Sequence, residues 1–93
     1  MTAMPPVWKS TNLGAVNGNS VRLRTMENFS ARWHTHADSD ELFYVLSGRF
    51  CIDTDRGTRE LQPGQLLVVA AGTRHRGRAE EKTTVLVVDR INS

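Results

Sequence analysis

Features that would mark a secreted or membrane protein are scarce or missing in this sequence. The single cysteine, Cys51, cannot form an intrachain disulfide. No apolar run approaches the roughly 20 residues that a membrane-spanning helix needs. Residues 1–6 carry neither the basic leader nor the apolar segment of a secretory signal. We therefore expect a cytoplasmic protein with no membrane partner.

The sequence also lacks a large excess of charge of one sign and a phosphate-binding loop. The formal net charge is +2, which is too small to indicate a nucleic-acid partner. Ten of the twelve basic residues are arginines, which favour bidentate contacts with carboxylate or phosphate, although most are expected to be solvated surface charges. No glycine-rich phosphate loop occurs in the sequence. The expected partner is a small molecule.

No segment shows a helical period, so the expected elements are strands. The chain has 93 residues, of which 39% are hydrophobic and 24% charged, and this predicts one domain near the size at which burial becomes marginal. Period-two alternation and short apolar runs, separated by Gly, Asn and Pro turns, predict strands at residues 20–26, 29–36, 41–46, 49–54, 58–62, 66–70 and 83–89. The pattern indicates an all-β sandwich or closed barrel with little or no helix.

The sequence before the first predicted strand contains an N-terminal segment rich in proline and a passage rich in turn formers. Residues 1–6 are expected to form a flexible arm, because two prolines and small residues offer little to bury. Residues 7–93 are expected to form the single domain, with residues 7–8 beginning a docking strand. Residues 11–20 form a turn-rich passage.

A candidate metal site lies between His34 and Glu41. His34 and His36 are two residues apart, so in an extended chain they point to the same side and can share one metal ion. Glu41 lies five residues after His36, and residues 37–40 are rich in turn formers. A turn there returns Glu41 on a neighbouring strand, opposite the two imidazoles.

The third and last histidine of the chain, His75, stands in a second patterned stretch. The spacing His34-x-His36-x4-Glu41-x6-Gly48 resembles the first motif of the cupin superfamily, and residues 64–75, Gly-x5-Ala-x-Gly-x2-His, resemble the second. The resemblance implies a small single-domain cupin, with the double-stranded β-helix or jelly-roll barrel of that family. It also implies that His34, His36, Glu41 and His75 hold one divalent metal.

Three scaffold positions depart from the usual cupin pattern. Asn28 stands where the first motif often opens with Gly, Ala70 replaces a usual Pro, and Ala79 replaces a frequent Asn. None is a ligand. Three imidazoles and one carboxylate leave two positions of an octahedral shell open, which suits iron, manganese, nickel, copper or zinc without choosing among them. The alternative is a cupin that keeps the four residues and binds no metal.

Two further residues are candidates for contact with a substrate. Arg32 shares the parity of His34, and it either clamps an anionic substrate or makes a structural ion pair or reaches solvent at the rim. Tyr44 is the second candidate, although packing is its more ordinary role. Gly77 shares the parity of His75 and leaves a gap that can be pocket space.

Other side chains are expected to point away from the metal. Arg74, Arg76 and Arg78 have the opposite parity to His75, which indicates solvated outward charges, with an anion-binding rim as the alternative. Cys51 alternates with Phe50 and is expected away from the metal face.

The expected function is that of a metal-dependent enzyme acting on a small anionic or carbonyl compound. The resemblance implies dioxygenases, isomerases and epimerases, decarboxylases and lyases as candidates. The alternative is a non-catalytic module that binds or senses a small ligand or a metal. Residues 42–46, 66–69 and 85–88 are apolar on both strand faces, so one face is left to be covered, and a homodimer is expected.

Overall fold

The computed structural model describes residues 5–91, which form nine β-strands and no helix. The strands are β1 (Val7–Val16), β2 (Asn19–Glu27), β3 (Phe29–Ser30), β4 (Glu41–Ser47), β5 (Phe50–Thr54), β6 (Gly57–Leu61), β7 (Leu66–Val69), β8 (His75–Ala79) and β9 (Thr83–Arg90). They pair antiparallel in two sheets, ordered β1-β2-β9-β4-β7 and β3-β8-β5-β6. This is the expected all-β jelly roll. Across residues 5–91 no helix is long and apolar enough to cross a membrane.

The core lies between the two sheets and follows the predicted alternation. In β9, Val85 and Val87 are fully buried, and between them the side chain of Leu86 is only half-buried. From the facing sheet, β5 contributes Phe50 and Ile52. Full burial of such side chains contributes about 1.5–3 kcal/mol each. The two sheets are therefore held by alternate residues of their central strands, as the sequence pattern predicts.

The first strand is longer than the sequence suggested. Residues 11–20 were expected to be a turn-rich passage, but β1 continues to Val16 and the turn is confined to Asn17 and Gly18. Both have positive φ, 48° and 80°, as the tight turn of a two-residue β-hairpin requires. Because β1 is an edge strand with nine of its ten residues exposed, it has no apolar alternation to reveal it.

The strand expected at residues 29–36 is wrong beyond Ser30. β3 has two residues, and the chain then keeps only separate hydrogen bonds to β8, such as Ala31 N to Gly77 O at 2.9 Å. Asn28, which precedes β3, has a φ of 49°. Asn enters this left-handed region more readily than most residues, which accounts for Asn at a position where the family often has Gly.

Gly48, which closes the first motif, lies in the turn from β4 to β5. Its φ is +83°, and a Cβ there would overlap the backbone of Lys82 and Thr83. Only glycine fits this close approach without a shift.

The predicted arm lies mostly outside the residues that the structure describes, since these begin at Pro5 and end at Ile91. Its flexibility stays a prediction, and so does the extent of the domain at residues 92–93.

Candidate metal centre

The four candidate ligands come from both sheets and from the segment that joins them. Glu41 begins β4 in the larger sheet, and His75 begins β8 in the smaller one. His34 lies after β3 and exchanges two backbone hydrogen bonds of 2.9 Å with His75, as an isolated bridge. The carbonyl of His36 accepts a 2.9 Å hydrogen bond from Gly72 N. Backbone contacts thus hold all three histidines near the start of β4.

The side chains of these four residues converge on one small volume. Oε1 of Glu41 lies 2.8 Å from Nε2 of His75, 3.6 Å from Nε2 of His36 and 3.9 Å from Nε2 of His34. One ligand atom of each residue lies within 4.8 Å of all the others. Metal–nitrogen and metal–oxygen bonds are about 2.0–2.2 Å, so atoms on opposite sides of one ion are about 4.2 Å apart. The three distances from Oε1 of Glu41 lie within this limit, which favours a site for a single ion.

Backbone carbonyls fix the orientation of two of the rings. Nδ1 of His34 lies 2.8 Å from the Arg32 carbonyl oxygen, and Nδ1 of His75 lies 2.8 Å from the Thr73 carbonyl oxygen. Because a carbonyl oxygen only accepts, each Nδ1 must carry the proton and donate it. Each Nε2 then directs a lone pair into the cluster, as metal-binding imidazoles require.

The contact between His75 and Glu41 tests whether a cation fits. Nδ1 of His75 already donates to Thr73, so Nε2 of a neutral ring and the Glu41 carboxylate would both be acceptors, only 2.8 Å apart. Two acceptor atoms this close repel each other unless a cation lies between them. That cation is either a proton on Nε2 or a metal ion. Three nitrogens and one carboxylate suit a first-row divalent metal, so the donor set fits the implied ion and leaves its identity open.

The electrostatics of the pair agree with this requirement. Burial disfavours both the ionised carboxylate of Glu41 and the protonated ring of His75. In each case the interactions with neighbouring groups outweigh this effect of burial. The hydrogen bond from His75, with His36 nearby, lowers the pKa of Glu41 below its ordinary value. The hydrogen bonds to Glu41 and to the Thr73 carbonyl raise the pKa of His75. The pair therefore favours a carboxylate facing a positive charge.

A cavity of about 370 Å³ opens beside the cluster. It is lined by Trp8, Arg22, Arg24, Phe29, Ala31, Arg32, His34, His36, Glu41 and Asp89. A narrower apolar extension of about 30 Å³ continues from it towards Met26, Phe43 and Phe50. Pockets that bind small molecules start near this size, and this cavity combines an apolar wall of Trp8, Phe29 and Ala31 with an otherwise polar and charged lining. We refer to it below as the metal-side pocket.

The structure separates the predicted substrate-contacting residues. Arg32 lines the metal-side pocket and is exposed, at its rim. Tyr44 does not join the site: it lies on the face of β4 opposite Glu41, next to Leu66 and Leu86 on the neighbouring strands. The alternation of β4, which places successive side chains on opposite faces, accounts for this.

Gly77 lines the narrow apolar extension of the pocket, but the ring of Phe50 occupies the position that a side chain at residue 77 would take. A Cβ built on Gly77 would overlap the end of that ring. Cys51 is on the outer face, as expected, and burial raises the pKa of its thiol. Among residues 5–91, Cys51 is thus neither near the ligands nor activated as a nucleophile.

The outward arginines are engaged with other side chains and are not simply solvated. Asp53 accepts a 2.8 Å hydrogen bond from Nε of Arg76 and another from Nε of Arg78. The guanidinium carbons of Arg74 and Arg76 lie 4.9 and 5.1 Å from the ring centroid of Trp33. Their outward direction is confirmed, and their role is to tie the outer surface of the smaller sheet together.

Sequence reasoning missed the contribution of β2 and β9 to the pocket. Arg22 and Arg24 project to the inner face of the larger sheet, where Arg22 pairs with Asp89 at 2.5 Å. Asp89 also accepts a 3.0 Å hydrogen bond from Ser20 Oγ. The signal was available in the alternation of β2, which puts Arg22, Arg24 and buried Met26 on one face.

Comparison with known proteins gives consistent results. The family model described as "cupin domain" matches residues 21–89. The chain is 39% identical over 79 residues to the uncharacterized protein YdbB of Bacillus subtilis (strain 168), covering 84% of this chain and 69% of that protein. A cupin-2 domain containing protein from Shewanella frigidimarina NCIMB 400 superposes with a TM-score of 0.83 at 28% identity, covering 89% of this chain and 80% of that one.

A second similar structure carries a more specific description. It is a sugar phosphate isomerase of the cupin superfamily from Silicibacter pomeroyi DSS-3, with a TM-score of 0.76 and 27% identity, covering 87% of this chain and 57% of that one. Because the family model spans 69 of 93 residues and includes all four clustered side chains, the chain belongs to the cupin family.

Proposed function

We propose that this cupin binds one divalent metal through His34, His36, Glu41 and His75 and acts on a small anionic or carbonyl compound as an oxygenase, isomerase or lyase. The observation that carries the proposal is the convergence of four ligand atoms within 4.8 Å at the edge of a 370 Å³ pocket. Such an ion, when bound, supplies Lewis-acid polarisation of a substrate oxygen or an open position for dioxygen.

The protein's own residues prepare the site for this chemistry. The carbonyls of Arg32 and Thr73 hold the His34 and His75 rings with Nε2 inward. Phe29 and Trp8, whose ring centroids are 6.3 Å apart, give the pocket an apolar wall that excludes water from one side of a bound substrate. Arg32 at the rim supplies positive charge for an anionic group. Together these features favour a small acid or carbonyl compound as the substrate.

The isomerase alternative has some support from similarity. The Silicibacter pomeroyi protein, described as a sugar phosphate isomerase, shares the fold at 27% identity. We therefore include carbohydrate acids and sugar phosphates among the compounds to be screened.

A non-catalytic binding module is the second candidate, and one observation favours it. Among the described residues that line the metal-side pocket, the acidic groups are Glu41, which contacts the histidines, and Asp89, which pairs with Arg22. No carboxylate in that part of the chain is left over to act as a base beside the ligands. A module that holds a small ligand or a metal without turnover needs no such group.

Metal analysis tests the first step of the enzyme proposal, which is binding of the ion. Protein expressed in medium with iron, manganese, nickel, copper and zinc should retain close to one equivalent of metal, and the His75→Ala variant much less. Cys51→Ala is the matched control, since it removes a soft ligand remote from the cluster and should retain wild-type content. Equal occupancy in wild type and His75→Ala would disprove the assignment. Oxygen uptake and NMR product screens with small acids, diketones, carbohydrate acids and sugar phosphates then distinguish an enzyme from a binding module.

The same proposal includes a homodimer in the cytoplasm. Leu46, Leu66 and Val68 on the outer face of the larger sheet are 48%, 53% and 51% exposed. Beside them lie half-buried Leu42 and Tyr44. Removing ~400 Å² of such surface from water favours association by about 10 kcal/mol before entropic costs. A second copy, related by a two-fold axis, is the simplest cover. The cytoplasmic location rests on sequence alone and stays a prediction.

A further inference from the structure

Arg24 carries a guanidinium inside the metal-side pocket that no carboxylate of residues 5–91 contacts directly. It projects from the middle of β2 and lines both the pocket and its narrow apolar extension. Its guanidinium carbon lies 5.7 Å from the ring centroid of Trp8, and its buried Nε has no hydrogen-bond partner. Across residues 5–91 no carboxylate lies within ion-pair distance of it.

The neighbouring acidic groups are already engaged. Asp89 pairs with Arg22 and accepts from Ser20, while Glu41 contacts the three histidines. Arg22 and Arg24 therefore differ in kind, although both have a buried Nε without a partner. Arg22 contacts a carboxylate directly, whereas Arg24 contacts the face of the Trp8 ring and is attracted by Glu41 and Asp89 from beyond ion-pair distance.

Leaving a guanidinium partly removed from water without an acceptor costs free energy. Burial, with the charge of Arg22 beside it, outweighs the attraction of Glu41 and Asp89 and lowers the pKa of Arg24 from its ordinary value. A side chain whose only purpose was to pack against Trp8 would be better replaced by a methionine or leucine. The cost is offset if an anion enters the pocket.

We infer that Arg24 binds the carboxylate of a small organic acid whose apolar body lies against Trp8 and Phe29, beside the metal centre. A guanidinium fork matches a carboxylate with two parallel hydrogen bonds. A carboxylate is favoured over a phosphate dianion, because Glu41 and Asp89 line the same pocket and repel a second negative charge. Exposed Arg32 at the rim attracts the anion, whereas Arg24, deeper in the pocket, orients it.

This inference deepens the proposed function, since it names the substrate class of the same pocket, but its test does not need the metal. The probe is isobutyrate, a carboxylate with a compact apolar body, and the reference is isobutyramide, a neutral compound of nearly the same shape. Both are titrated into metal-free protein and followed by amide chemical-shift changes of residues that line the pocket. Wild type should bind isobutyrate at least about tenfold more tightly than the amide.

Three variants locate the effect. Arg24→Met removes the charge and keeps the stem, and it should bind isobutyrate no better than isobutyramide. Arg24→Lys keeps the charge without the two-pronged guanidinium, and its affinity for isobutyrate should lie between those of wild type and Arg24→Met. Arg56→Met, at the exposed β5–β6 turn, removes the same charge far from the pocket and should behave as wild type. A dispersed amide spectrum for each variant confirms that it folds.

Each remaining outcome is decisive. Equal isobutyrate affinity in wild type and Arg24→Met overturns the inference, as does an equal loss in Arg56→Met, which would show a net-charge effect only. Competition by inorganic phosphate stronger than by isobutyrate overturns the carboxylate class. Metal content, measured on the same preparations, tests the proposed function separately. If wild type binds isobutyrate but holds no metal, the role of Arg24 stands and the proposed metal-dependent activity is wrong. If wild type holds metal but does not bind isobutyrate, the role of Arg24 is wrong and the proposed activity stands.

Discussion

Oε1 of Glu41 and Nε2 of His75 lie 2.8 Å apart, although they belong to different sheets of the jelly roll. Both side chains are almost fully buried, at 2% exposure each. Because His75 Nδ1 donates to Thr73, the short contact needs a positive charge on the Nε2 side. Without metal this charge is a proton, which any incoming metal ion must displace.

Metal affinity should therefore fall with decreasing pH, beginning above pH 6.5. The pKa of His75 is raised above its ordinary value, so the ring is already protonated where a free histidine is neutral. Below that raised pKa, affinity should drop about tenfold per pH unit for each proton displaced. Zinc competition against a chromophoric chelator from pH 8 to 5.5 measures this. In Glu41→Gln, which removes the carboxylate that raises the pKa, the onset should move to lower pH; a flat profile in wild type would contradict the prediction.

Asp53 should contribute to stability in a pH-dependent way. The hydrogen bond from Arg78, helped by those from Thr58 and Arg76, outweighs burial and holds the pKa of Asp53 far below its usual range. For a lowered carboxyl pKa, the stabilisation is complete above the unfolded-state value near 4 and is lost as pH falls towards the folded value. Asp53→Asn should lower the free energy of unfolding by about 1–3 kcal/mol at pH 7.

Urea denaturation of wild type and Asp53→Asn at pH 7 and pH 3 tests this, and the difference between them should shrink at pH 3. Asp55→Asn, in the exposed β5–β6 turn, is the matched control and should change stability little at either pH. An equal gap for Asp53→Asn at both pH values would show that the ion pairs are not its cause.

Gly77→Ala should destabilise the protein by about 1–3 kcal/mol, as overpacking of a filled core does. The added methyl overlaps the end of the Phe50 ring, which lies in the centre of the core. Phe50→Leu shortens that side chain, so in its background the Gly77→Ala substitution should cost less. Thermal unfolding of the four proteins of this double-mutant cycle gives the coupling. Additive effects would mean that the overlap is relieved elsewhere.

Light scattering at low micromolar concentration should give about twice the 10.4 kDa chain mass. Leu66→Asp, on the exposed apolar face of β7, should shift the protein towards monomer without changing its metal content. Val16→Asp, equally apolar and exposed but at the tip of the β1–β2 hairpin, should leave the mass unchanged. A monomeric wild type would rule out this interface.

Local patterns predicted the parts of the fold that they control. β4 and β9 alternate between the core and the outer face, and period-two reading placed both within one or two residues of their observed ends. Residues 29–36 alternate equally well, yet most of them leave the sheet. Alternation indicates which side chains point in the same direction, and those of His34 and His36 do. It does not indicate whether a neighbouring strand is available for pairing.

The site was predictable as far as its motif extends. His34, His36, Glu41 and His75 are brought together as their spacing indicated. Arg24 was not found, because it reaches the pocket from β2, which is joined to the strand of Glu41 through β9. A contact that passes through two strand registers leaves no trace in the spacing of residues along the chain. Tyr44 failed as a pocket candidate for a simpler reason, since its parity already opposed that of Glu41.

The strand that carries Trp8 has a single neighbour. Among the strands of residues 5–91, β1 pairs with β2 alone, and only Ser10 of its ten residues is not exposed. The four ligands lie on β4, on β8 and in the segment after β3, none of which pairs with β1. Segments with few buried contacts open at low free energy, independently of the rest of a domain. Fraying of β1 thus removes one wall of the pocket and leaves the ligand cluster assembled. The rate at which small molecules exchange is therefore set by β1, and the rate at which a bound metal would be lost is set by other strands.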